Sequence, residues 1–176
     1  NIYQSIKTKD VGMCGATGAY KAWRFSWPFF QLGFIPVIMY PLRVIRRLFN
    51  HFLLFGYYPS KYCPHLRSNG FAVERKSFLS FVSSTAIPKS KRDCYRLESG
   101  VSSYSNYVLS LKQRLVLVDK FGKYYDIEDW TRSKTYCCPG QPGLCIADNN
   151  TDLYDKQHIL EKRQMEFDVW GSILHD

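Results

Sequence analysis

Six cysteines carry the densest chemistry in this sequence: Cys14, Cys63, Cys94, Cys137, Cys138 and Cys145. Three of them lie in the run Cys137-Cys138-Pro-Gly-Gln-Pro-Gly-Leu-Cys145. A disulfide from Cys145 to Cys137 or to Cys138 would close a short Pro/Gly loop, and spacing does not choose between the two partners. Unpaired structural thiols are the competing reading, and an oxidising compartment would favour the bridge. A structural zinc site draws on two short Cys or Cys/His pairs, and this chain has no such pairs. Cys63-Pro64-His65 would add two ligands at a spacing that matches no zinc pattern, so no metal and no cofactor is expected.

Gly12, Gly15 and Gly18 recur at three-residue spacing, a pattern that in other settings cradles a dinucleotide pyrophosphate. That use needs a buried strand before the glycines and a helix after them, so that backbone N–H groups point at phosphate. Ile2 to Asp10 is too polar for such a strand. Close backbone packing or a flexible loop is the expected role. The histidines His51, His65, His158 and His175 are scattered, without carboxylate or cysteine partners at ligand spacing. His51 falls in an apolar segment where haem ligation is conceivable, but a lone histidine there is more often structural. Asp126-Ile-Glu128-Asp129 reads as a solvated hairpin edge. No nucleophile motif, nucleotide loop or carboxylate pair stands out, and the chain is not expected to be an enzyme.

The elements that would position these groups divide the 176 residues into two parts. An N-terminal arm, residues 1–70, is apolar and basic, and residues 71–176 form a small α+β domain. Within the second part, Phe78 to Ile87 interleaves apolar residues with Ser and Thr, which predicts a strand. Leu115 to Val118 predicts another, turned by Asp119 to Lys123 into a return strand from Tyr124 to Trp130. Asp152 to Leu174 predicts a C-terminal helix with Thr151 as its N-cap, on Leu153, Leu160, Phe167 and Leu174 at seven-residue spacing. The expected fold is thus an apolar helical arm, a small antiparallel β-containing domain and a C-terminal helix.

The arm holds the clearest signal. Residues Phe25 to Leu42 are 18 in a row without formal charge. As a helix they would reach ~27 Å, just short of a ~30 Å hydrocarbon core. Pro28, Gly33, Pro36 and Pro41 interrupt them, and Pro36 would kink or break a helix interior. A kinked span, a re-entrant path and a surface-lying path all stay open. From Pro41 to Tyr57 the pattern is cleaner: Leu42, Ile45, Leu48, Phe49, Phe52 and Phe55 share one helical face, opposite Arg43, Arg46, Arg47 and Asn50. A basic amphipathic helix of this kind suits a membrane interface. The candidate docking residues are Trp23, Arg24, Trp27, Phe30, Arg43, Arg46, Arg47, Phe49, Phe52 and Phe55.

Charge is divided in the same way. Residues 1–100 carry 15 Lys and Arg against 4 Asp and Glu, whereas residues 101–176 carry 9 against 11. Basic excess beside long apolar runs points to lipid head groups more than to nucleic acid. The expected function is a non-catalytic accessory subunit of a membrane-associated complex. An organellar respiratory-type assembly at the mitochondrial inner membrane is the expected setting, with lipid and neighbouring subunits as partners and no small-molecule substrate. Asn1 without a preceding Met fits removal of a targeting peptide. A basic ribosomal-type subunit that stacks its aromatics on RNA is the alternative, and a small thiol redox protein is the third.

Overall fold

A computed structural model describes residues 10–21 and 62–171. The chain is mixed α and β. In order it forms β1 (Val11–Gly15), β2 (Gly18–Ala19), β3 (His65–Leu66), β4 (Phe71–Val73), α1 (Arg75–Ser84), α2 (Lys91–Ser99) and α3 (Tyr104–Ser110). Then come β5 (Arg114–Val118), β6 (Tyr124–Tyr125), a 3-10 helix (Ile127–Ser133), α4 (Asn149–Lys156) and α5 (Ile159–Trp170). Five α-helices and a four-stranded sheet of order β4-β1-β5-β6 therefore make up the described part, with β2 and β3 as a separate antiparallel pair.

The sheet is mixed, not antiparallel. β1 and β5 run parallel at its centre, and β4 and β6 flank them antiparallel. Parallel neighbours need a crossover, which α1, α2 and α3 supply. Both faces of the central pair are buried: Met13, Leu115 and Leu117 join the main core, while Val11, Cys14, Val116 and Val118 pack together. Burial on both faces explains why Leu115 to Val118 is a continuous apolar run instead of an alternating one. The register shifts between Val11 and Met13, so Gly12 is the extra residue of a β-bulge.

The glycine-rich segment is thus the central strand and not a loop. A Cβ on Gly12 would stand 2.5 Å from Val108 of α3, and one on Gly15 would stand 3.0 Å from Leu66. Close packing explains the glycines; none of them opens a helix. Of the residues placed with the arm by sequence, β1 shares a sheet with β4 and β5, and Met13, Tyr20 and Leu66 share a core with residues 71 onward.

Phe78 to Ile87 is mostly helix α1, where a strand was expected. Phe78 and Phe81 stand three apart and both pack edge-on against Tyr104 of α3, with ring centroids 5.3 and 5.1 Å away. The Ser and Thr residues that mimicked alternation end the helix instead. Ser83, Ser84 and Thr85 donate hydroxyls to the carbonyls three residues back.

The hairpin formed by β5 and β6 matches expectation, pairing Leu117 with Tyr125 and Val118 with Tyr124. Its return strand is shorter, because residues from Ile127 wind into the 3-10 helix. Asp119 Oδ1 accepts from Phe121 and Lys123 N–H groups at 2.9 Å and so builds the turn.

The expected single C-terminal helix is two helices. Asp148, not Thr151, caps α4: Asp148 Oδ1 accepts from Asn150 and Thr151 N–H, and Thr151 Oγ1 accepts from Asp148 N–H. The chain breaks at Gln157-His158, where Glu161 accepts from His158 N–H and starts α5. Leu153, Leu160 and Phe167 are largely exposed, so the seven-residue stripe is not the buried face. The buried residues of α4 and α5 are Thr151, Tyr154, Glu166 and Trp170.

Candidate functional site

The docking residues Trp23, Arg24, Trp27, Phe30, Arg43, Arg46, Arg47, Phe49, Phe52 and Phe55 lie outside the described residues, as does His51. The structure does describe the two points where segment 22–61 joins the domain. They are adjacent. β2 and β3 pair antiparallel, Gly18 opposite Leu66 and Ala19 opposite His65. One step further, Cys63 N–H donates to the Tyr20 carbonyl at 2.7 Å, and the Tyr20 and Tyr62 rings stand 5.3 Å apart.

This root is fixed from three sides. Tyr20 stacks parallel on Trp130 of the 3-10 helix at 5.8 Å and meets Trp170 of α5 edge-on at 5.3 Å. Its hydroxyl donates to the Ile127 carbonyl. Burial, with Tyr62 alongside, pushes its pKa up to about 12, so it stays a neutral donor. Val169 O accepts from the N–H groups of both Tyr20 and Lys21. Lys21 Nζ sits 3.6 Å above the Phe167 ring. A Cβ on Gly18 would come within 2.8 Å of the Trp130 ring, so glycine is what lets the strand lie on the indole.

Beside the root, His65 is buried, and its Nδ1 stands 2.9 Å from the Cys63 carbonyl. A carbonyl accepts, so Nδ1 carries the proton. Burial holds the His65 pKa below its usual 6.5; the bond to Cys63 O and the Glu98 charge oppose this without cancelling it. The unfolded chain therefore binds more protons just below pH 6.5, and stability falls as pH falls through that window. The expected slope from this one group is up to about 1.4 kcal/mol per pH unit. Urea unfolding of the native chain and of His65→Asn, over the first pH unit below 6.5, checks this. The difference between them should carry the slope.

The cysteine loop is held from within. Gln141 Oε1 accepts from Cys137 N–H at 3.3 Å, and Gln141 Nε2 donates to the Thr151 carbonyl at 3.1 Å. Cys137, Cys138 and Cys145 are free thiols in this structure, the first two buried and the third exposed. Burial pushes Cys137 and Cys138 up to about 12 each and raises Cys145 as well. A thiol held protonated is a poor nucleophile and a poor metal ligand. Cys63 and His65 lie at the root and are not joined to this loop by any shared ligand geometry. Among the described residues no group of three or more His, Cys, Asp or Glu could hold a metal ion.

Sequence reasoning missed a cavity of about 600 Å³ between the sheet and α1, α2 and α3. Phe71, Phe78, Phe81, Val82, Leu97 and Tyr104 supply much of its wall. Its volume lies within the range of small-molecule sites. The misreading of α1 as a strand hid it, since two of those aromatics converge only on a helix.

Compared with known protein families, curated proteins and solved structures, the chain shows no match to any of them.

Proposed function

We propose that this chain is a non-catalytic docking subunit of a membrane-associated complex, attached through segment 22–61. One observation carries this reading: the 2.7 Å bond between Cys63 N–H and the Tyr20 carbonyl holds both ends of the segment at one place. A single membrane crossing would put its ends ~30 Å apart on opposite faces. A segment rooted in this way must enter and leave any bilayer on the same side. The re-entrant and surface-lying paths satisfy that condition, and the basic amphipathic pattern from Pro41 to Tyr57 favours the surface-lying one. No helix among the described residues is long and apolar enough to cross a membrane.

Arg43, Arg46 and Arg47 would meet anionic head groups, each contributing about 1 kcal/mol near such a surface. Vesicle flotation with anionic lipid tests this. The full chain should float with the vesicles, and Arg43→Glu, Arg46→Glu and Arg47→Glu together should weaken binding by about a hundredfold. A chain that stays in the aqueous fraction and sediments with added RNA would overturn the reading in favour of the nucleic-acid alternative.

A further inference from the structure

The cavity walled by α1, α2 and α3 has two chemically distinct parts. Inside, the polar atoms are already engaged. Tyr104 Oη donates to Ser77 Oγ at 3.2 Å, Thr85 Oγ1 donates to the Val82 carbonyl at 3.2 Å, and Ser105 Oγ accepts from Leu66 N–H at 3.2 Å. What remains facing the void is carbon. A guest lying there would gain burial and make few hydrogen bonds, which selects hydrocarbon.

The rim differs. Residues 86–92 run Ala-Ile-Pro-Lys-Ser-Lys-Arg, with three cations and no anion. Ile87 and Pro88 line the opening, and Ile87 is 82% exposed. Lys91 also lines it, its Nζ 5.7 Å above the Tyr95 ring, and it makes no ion pair among the described residues. Glu98 is the one carboxylate on the wall among the described residues, and it accepts from Ser68 N–H at 2.6 Å. An apolar interior under a cationic rim is complementary to an anionic amphiphile.

We propose that this cavity binds a single long hydrocarbon chain carrying an anionic head, with the chain between Phe78, Phe81, Leu97 and Tyr104 and the head at Lys91 and Lys89. The site borders the root of segment 22–61 only at Leu66, which lines the cavity and pairs with Gly18, and the bound amphiphile is a ligand, not a substrate.

Cys94 reports on occupancy, because it is exposed and lines the cavity, whereas Cys145 is exposed and lies elsewhere. In the full chain, oleate at about ten times its Kd should slow alkylation of Cys94 about tenfold, by mass action. Cys145 labelling, followed in the same sample by peptide mass mapping, should not change. Lys89→Glu with Lys91→Glu should weaken oleate binding about tenfold and leave neutral monoolein unchanged. Equal protection of both cysteines would mean detergent-like coating and would overturn the proposal. So would a Cys94 that resists alkylation without ligand, since another part of the chain would then cover the mouth. Charge reversal without effect on oleate would overturn the assignment of the head group.

Discussion

Trp130→Ala is expected to cost about 3–5 kcal/mol of folding stability, the largest loss from any single side-chain truncation among the described residues. Trp130 is fully buried. Gly18 lies against one part of the ring, Tyr20 stacks on it with planes 3° apart, and Nε1 donates to the Tyr125 carbonyl at 3.2 Å. Truncation removes the transfer free energy of an indole and leaves a void that strand β2 cannot readily collapse into, because Leu66 pairs with Gly18 and Val169 O accepts from Tyr20 and Lys21 N–H just after the strand. Urea unfolding should show a lower midpoint at unchanged slope. Trp130→Phe keeps a ring under Tyr20 and should recover most of the loss. A truncation costing under about 1 kcal/mol would mean that the aromatic stack is not part of the cooperative core.

Gly143→Ala should be nearly as damaging, about 3–5 kcal/mol, although it adds only a methyl group. That methyl would stand 1.9 Å from the Ser133 carbonyl oxygen, which is backbone and cannot rotate away. The strand of loop must shift, and Gly143 N–H to Lys134 O and Lys120 N–H to Gly143 O, at 3.0 and 2.9 Å, would both be lost or lengthened. Thermal unfolding should fall by about 10 °C in a chain of this size. Pro142→Ala at the neighbouring position, which adds no Cβ, is the control for general loosening of the loop. A Gly143→Ala midpoint equal to that control would remove the steric account.

The hairpin of β5 and β6 was legible because its signals are local. Asp119 and Gly122 provide turn chemistry within the four residues that need it. The existence of helix at the C-terminus was legible for the same reason, but not its break. Leu153, Leu160 and Phe167 suggested one continuous stripe, whereas the interruption depends on Glu161 capping His158, a short-range bond that competes with continuation of the helix. Helix α1 was misread because Phe78 and Phe81 fit both a period of two with interleaved serines and a helical spacing of three, and the choice is made by Tyr104 and Tyr107 on a helix 20 to 30 residues away. Val11 to Gly15 gave no strand signal, since two glycines in five residues weaken any propensity; its place at the sheet centre follows from α3 and Leu66 pressing against the missing side chains. The cavity could not be read at all, being a product of how three helices converge. The root of segment 22–61 was equally hidden, because Tyr20 and Tyr62 are distant in sequence and meet only through the β2–β3 pair.

That root bears on how the chain tolerates change. Closing a loop carries an entropy cost that rises only with the logarithm of its length, about 0.6 kcal/mol for each doubling. Strands β2 and β3, packed on Trp130 and Trp170, close the forty residues of segment 22–61 with contacts drawn from the domain's own core. The domain's stability is then almost indifferent to how long the segment is. Residues can be gained or lost between β2 and β3 during evolution at little penalty from closure alone.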